Sequence, residues 1–117
     1  MRDSVYYRAG DTATFPWSST FDGYISSSGT ELTFMIPLSK PVVATSASIT
    51  AGAANVRQKG SYLVSTELSL TSGYSSRNFA ITPCGVAVQL FRSGGWGGTN
   101  NDLASVQVTQ NMTITFS

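Results

Sequence analysis

The stretch Thr30-Glu31-Leu32-Thr33-Phe34-Met35-Ile36-Pro37-Leu38 decides the fold. Leu32, Phe34, Ile36 and Leu38 fall on one parity, and Glu31, Thr33, Met35 and Pro37 on the other. Successive side chains of a strand point to opposite faces, so this period of two predicts a strand with one strongly apolar face. The same pattern closes the chain, where Met112, Ile114 and Phe116 alternate with Asn111, Thr113 and Thr115. Val86 to Phe91 is apolar on both parities, which predicts a strand that is central or faces a partner. Weaker strand patterns cover Ser4 to Arg8, Thr12 to Phe15, Asp22 to Ile25, Val43 to Ile49, Asn55 to Gln58, Ser61 to Thr66 and Ala104 to Thr109.

Turn residues separate these runs at Ala9-Gly10-Asp11, Ser28-Gly29, Lys59-Gly60, Ser72-Gly73 and Ser93 to Asn101. Pro16, Pro37, Pro41 and Pro83 sit at or near strand ends, where a missing N–H costs little. No segment of helical length carries a 3.6-residue apolar stripe. The best helical alternative, Ser65 to Leu70, is short and rich in Ser and Thr. Many short strands with regular turns predict an all-β chain, an antiparallel β-sandwich of jelly-roll type with about 8–10 strands. The 117 residues suit one domain spanning 1–117. Residues 1–21 supply N-terminal strands or a connection to an upstream segment. The glycine-rich stretch at 94–98 is a loop within the domain, and no internal repeat is present.

Composition narrows function. Charged residues are 11% of the chain, against about 25% in an ordinary soluble domain. Ser and Thr fill much of the gap, which favours strands and turns over helices. Net charge is +1, and Lys40, Arg57, Lys59, Arg77 and Arg92 are scattered. Nucleic acid needs a concentrated basic footprint, so none is expected as a partner. No apolar run reaches the ~20 residues of a membrane-spanning helix, and no membrane insertion is expected. The start, Met1 to Val5, has no apolar run suited to a signal peptide, so the chain is expected to be made in the cytosol or excised from a longer one.

The chain contains no histidine. That removes the commonest general base, the serine and cysteine catalytic pairings that use it, and histidine metal sites. The six acids, Asp3, Asp11, Asp22, Glu31, Glu67 and Asp102, are spread singly. A glycosidase would need two of them, for example Asp22 and Glu31, to face one cleft at ~5–9.5 Å. The expectation is a non-enzymatic chain with no catalytic residue, no metal and no cofactor. Cys84, in Thr82-Pro83-Cys84-Gly85, is the one cysteine. It is expected to be a small buried residue, since it lacks the partners that would activate a thiol. The sequon Asn111-Met112-Thr113 is taken as chance.

Binding chemistry concentrates in Ser93-Gly94-Gly95-Trp96-Gly97-Gly98-Thr99-Asn100-Asn101-Asp102. An exposed Trp96 would offer a flat apolar face for a sugar ring. Asn100, Asn101 and Asp102 supply groups that hydrogen-bond hydroxyls, and Arg92 suits an anionic group. The alternative is that Trp96 folds back as a lid on the core or packs against a neighbouring subunit. Tyr74, in the polar loop 72–78, is a further candidate of the same kind. Trp17 is read as structural, covering one end of the sandwich. Of the adjacent Tyr6 and Tyr7, one must point away from any core they share.

Tyr24-Ile25-Ser26 and the run Thr30 to Val42 resemble a segment of the C-terminal head domains of phage tail-fibre and baseplate-appendage proteins, from phages of Gram-positive and gut bacteria. Val56 to Tyr62, Pro83-Cys84-Gly85-Val86 and Met112 to Phe116 are similar to the same receptor-binding heads. The likeness runs from Asp22 to the end. It implies a non-catalytic β-sandwich head on a virion, a homotrimer that recognises host-surface saccharide and meets other virion proteins. The chain departs from the pattern in lacking coiled-coil heptads or a Gly-X-Y stalk. Trimer contacts would then fall on sheet faces, with Val86 to Phe91 and the C-terminal strand as interface elements. A purely structural virion decoration or trimerisation domain, and a carbohydrate-binding module of a bacterial enzyme, remain open as alternatives.

Overall fold

The structure, a computed structural model, describes residues 5–58, 61–62, 67–71, 77–82, 85–96 and 103–117. Among them are nine strands and no helix: β1 (Thr12–Phe15), β2 (Thr20–Ile25), β3 (Glu31–Pro37), β4 (Ala47–Gln58), β5 (Ser61–Tyr62), β6 (Leu68–Ser69), β7 (Arg77–Thr82), β8 (Gly85–Phe91) and β9 (Leu103–Phe116). All pair antiparallel in one sheet of order β5-β4-β9-β2-β3-β8-β7, with β1 also on β9 and β6 also on β4. The sheet curls into a half-barrel, so the architecture is all-β and sandwich-like. Curling brings one face of the sheet round on itself, and that face is the core.

Register explains why the core is continuous. Leu32 pairs with Ile25 and Leu90, and Phe34 pairs with Val88. The apolar parity of each strand therefore lands on the same face. Ile25, Leu32, Ile36, Val86, Val88, Val108, Met112 and Ile114 are all sealed from solvent. Burying one such side chain contributes about 1.5–3 kcal/mol, so the alternation alone drives closure. Phe21 stands edge-on to Phe15 and stacks near Phe34, tying β1, β2 and β3 together.

Two long strands bend to make the curl. β9 pairs with β2 over Leu103–Gln107 and with β1 over Met112–Thr115. The sequence pattern treats these as two strands, and the structure joins them through exposed Gln110 and Asn111. Opposite this point β4 carries successive register shifts across Ile49, Ala51, Ala53 and Ala54. Gly52 sits there at φ +131, and a Cβ on it would lie 2.8 Å from Met112 Cα. Only glycine accommodates both the backbone angle and the close approach. The end of the predicted strand 43–49, from Ala47, and the predicted strand 55–58 thus belong to one bent strand, and 43–46 lie outside it.

Other departures are local. Of the predicted strand Ser4 to Arg8, Ser4 lies outside the described residues and Val5 to Arg8 forms no strand. Tyr7 makes a single bridge to Val42, and its ring stacks on Phe116 at 4.8 Å. Tyr7 is buried while Tyr6 is exposed, as adjacency requires. β6 and β7 have no counterpart in the sequence reading. The strand Val86 to Phe91 is central, between β3 and β7, and β9 is central too. Their apolar parities are spent on the core, which leaves only their other face for any partner. Cys84 lies outside the described residues.

Candidate functional site

Trp96 is sealed from solvent within the core cluster. Its indole Nε1–H donates to the Thr30 carbonyl at 3.1 Å, and its backbone N–H donates to Gly29 O at 2.8 Å. A ring with no accessible face cannot stack a sugar, so the exposed-platform reading of Trp96 is corrected to that of a lid on the core. Arg92 is committed to the same lock. Its Nη1 donates to Gly95 O at 3.2 Å, and its guanidinium lies 5.7 Å from the Trp96 ring centre. Arg92 N–H also donates to Thr30 O. The pair therefore clamps the 26–30 turn against the end of β8. Asn100, Asn101, Asp102 and Tyr74 lie outside the described residues.

Trp17 departs from its reading in the opposite direction. The sequence pattern has it covering one end of the sandwich, whereas the residue is 68% exposed. Trp96 thus takes the second of its two readings, and Trp17 departs from its reading.

The described surface carries polar groups together on the outer face of β2, β3, β8 and β7, opposite the core. Strand parity places Tyr24, Thr33, Gln89 and Asn78 in one row across the four strands. A second row holds Met35, Ala87 and Ala80, beside Asp22. Asn78 Nδ2–H donates to Gln89 Oε1 at 3.1 Å, and Gln89 Nε2–H donates to Glu31 Oε2 at 2.9 Å. Glu31 is also fixed through its backbone N–H, which donates to Ser26 Oγ at 3.2 Å. Each member is held by its neighbour, so the ladder is a pre-oriented set of donors and acceptors.

Small side chains beside the ladder leave shallow troughs. One of about 290 Å³ is lined by Glu31, Asn78, Gln89 and Phe91. Another of about 270 Å³ runs past Asp22, Tyr24, Thr33, Met35 and Ala87. Tyr24 is 46% and Met35 40% exposed at this rim. The face thus offers an aromatic ring, an amide pair and a carboxylate around open depressions. Such a surface suits a ligand rich in hydroxyls, which needs both donors and acceptors and an apolar ring face.

The acids Asp22 and Glu31 both project from this outer face. Four residues of strand separate their positions, since Tyr24 opposes Thr33. That is ~13 Å at the rise of a strand, wider than the ~5–9.5 Å of a glycosidase pair. Among the described residues no three His, Cys, Asp or Glu side chains cluster as a metal set would require.

Sequence reading does not reveal the ladder, because Glu31 stands 58 residues from Gln89, which is itself 11 from Asn78. The sequence pattern offers Glu31 only as an acid, singly or with Asp22, and does not single out Asn78 or Gln89. Their common signal is that Glu31 and Gln89 occupy the polar parity of their strands, and only the strand order makes them neighbours. Comparison with known proteins found no matching family model, no matching curated protein and no matching solved structure.

Proposed function

We propose that this chain is a non-catalytic recognition domain: the head of a homotrimeric phage tail fibre or appendage, carried on the virion, that engages host-surface saccharide through the outer face of β2, β3, β8 and β7. The virion context rests on the resemblance of Tyr24-Ile25-Ser26 and Thr30 to Val42 to such heads. The observation that carries the binding role is the Asn78–Gln89–Glu31 ladder beside the Tyr24 and Phe91 rings. Amides and a carboxylate held in place bind hydroxyls with little ordering cost. Binding needs no proton transfer, so the histidine-free composition is no obstacle.

The test is a screen of immobilised bacterial surface glycans against purified protein, wild type beside Asn78→Ala and Gln89→Ala. The expected result is retention of at least one glycan by wild type and about tenfold weaker binding by each variant, with circular dichroism unchanged. Retention that both variants preserve in full would reject the face. Light scattering of the same samples tests the oligomer, with a trimer expected at three times 12.4 kDa. A monomer across a wide concentration range would reject the self-trimerising head.

One observation favours a second reading, a structural decoration or trimerisation domain. The row Met35, Ala87 and Ala80 is apolar and lines the depressions of the same face. A trimer that binds no glycan, and that Met35→Asp dissociates, would support that reading over the first.

A further inference from the structure

Trp17 lies in the link between β1 and β2. Both strands pair with β9, β1 with its second half and β2 with its first. The link therefore runs beside the bend of β9, tied to it by three hydrogen bonds and closed by a fourth within the link. Trp17 N–H donates to Asn111 Oδ1 at 3.1 Å, and Ser18 N–H donates to Val108 O at 2.8 Å. Val108 N–H donates back to Ser19 O at 2.8 Å, and Ser19 N–H donates to Pro16 O at 3.1 Å. Pro16 fixes its own φ on the other side of Trp17.

Ser18 adopts φ +77, the one residue other than glycine at positive φ among the described residues. A serine in the left-handed region is strained, and the surrounding hydrogen bonds hold it there. The outcome is an indole held away from the core on a rigid support, 68% exposed. In the same chain Trp96 is completely buried, so exposure is a property of this turn and not of weak packing. A large aromatic group kept in water by a strained, pinned backbone is the signature of a contact surface.

The surroundings select the chemistry. Asn111 is exposed and accepts from the Trp17 backbone, which fixes its carboxamide and leaves it two Nδ2–H donors. Next to it, exposed Gln110 donates to Glu67 Oε1 at 2.8 Å. Pro16, Ser18, Ser19, Thr20, Gln110 and Asn111 carry no charge, and no lysine or arginine stands among them. An anionic ligand has no counter-charge in that group. A neutral ring with one apolar face and a rim of hydroxyls fits, stacking on the indole and bonding to the amides.

We infer that Trp17 and Asn111 form a second saccharide contact, for an uncharged sugar ring, separate from the ladder on the outer face. The ligand class rests on the function proposed above, but the site does not share a residue with it.

The experiment uses wild type, Trp17→Ala, Trp17→Tyr and Gln89→Ala on an array of neutral oligosaccharides, with acrylamide quenching of tryptophan fluorescence. Trp96 is buried, so quenchable emission reports Trp17. The expected result is that Trp17→Ala weakens binding about tenfold or more, that Trp17→Tyr retains it within a few-fold, and that saturating glycan shields Trp17 from acrylamide. Unchanged binding by Trp17→Ala, with binding lost in Gln89→Ala, overturns this site and leaves the proposed function standing. Absence of any glycan bound by wild type overturns both. A lower mass of Trp17→Ala by light scattering places Trp17 between copies of the chain and overturns the saccharide assignment.

Discussion

Replacing Trp96 with alanine removes the largest fully buried side chain among the described residues. The loss has two parts. Truncating a sealed aromatic side chain costs about 3–5 kcal/mol, the upper end applying where the site cannot collapse. Here the walls are strand backbone and the 26–30 turn, which are fixed by the Trp96 N–H to Gly29 bond and the Arg92 N–H to Thr30 bond. The second part is the indole hydrogen bond. Thr30 O keeps Arg92 N–H as a donor, so its loss leaves no orphaned acceptor and adds about 1 kcal/mol or less. The sum is about 4–5 kcal/mol, a large fraction of the ~5–15 kcal/mol that stabilises an ordinary domain. In urea the midpoint should fall in proportion with the slope unchanged, and the thermal midpoint should drop by roughly 15–20 °C. The assay is urea unfolding followed by far-ultraviolet circular dichroism. A loss under about 1 kcal/mol would refute the reasoning, because that is what removing a solvent-exposed ring costs.

Trp17→Ala should change stability by no more than about 0.5 kcal/mol and remove the acrylamide-quenchable emission, measured on the same urea curves and by fluorescence. Gly52→Ala should cost about 2–4 kcal/mol, about 1–2 from a left-handed backbone and the rest from the approach of Cβ to Met112. A thermal midpoint equal to wild type would remove the bend in β4 from the account. Tyr7→Phe should cost under about 1 kcal/mol, since the hydroxyl meets Ser39 Oγ only at 3.3 Å, whereas Tyr7→Ala should cost about 3 kcal/mol or more through loss of the Phe116 stack. Equal effects of the two variants in thermal melts would contradict that division.

Strands whose inward parity is filled by large apolar residues were legible, and those that rely on register were not. Thr12–Phe15 is β1 with both ends as read, and Glu31–Pro37 and Gly85–Phe91 lie within a residue of their patterns. β7 escaped because Phe79 and Ile81 are its only large apolar residues and both follow a polar stretch. Its partner β8 makes it a strand, by offering Val86, Val88 and a free ladder edge. The small residues Ala51, Gly52, Ala53 and Ala54 carry no alternating apolar pattern, so the middle of β4 is not legible as strand without its partner β9. The outer-face ladder was illegible for a related reason. Asn78, Gln89 and Glu31 meet through one strand order among many, and polar parity alone does not choose it.

The contrast between the two tryptophans follows from the residues beside each. A loop of glycines around Trp96 has no aliphatic residue to bury, which is the argument for an exposed ring. The physical consequence runs the other way. Gly95 reaches φ +82 without cost and allows the chain to reverse immediately after Ser93-Gly94, with Gly95 N–H donating to Arg92 O. A loop of small residues leaves room for its own indole to turn inward, and burying that indole is the one large apolar gain the loop has. Trp17 has no such freedom. Pro16 fixes the entry and four hydrogen bonds fix the turn beside β9, with Ser18 held at positive φ. Turning the indole inward would require breaking that support, where the inward positions are already filled by Phe15, Phe21 and Met112. Flexible backbone therefore buries its aromatic residue, and rigid backbone presents it. Among the described residues, the side chains held in place at the surface are those of the pinned turn and of the outer sheet face.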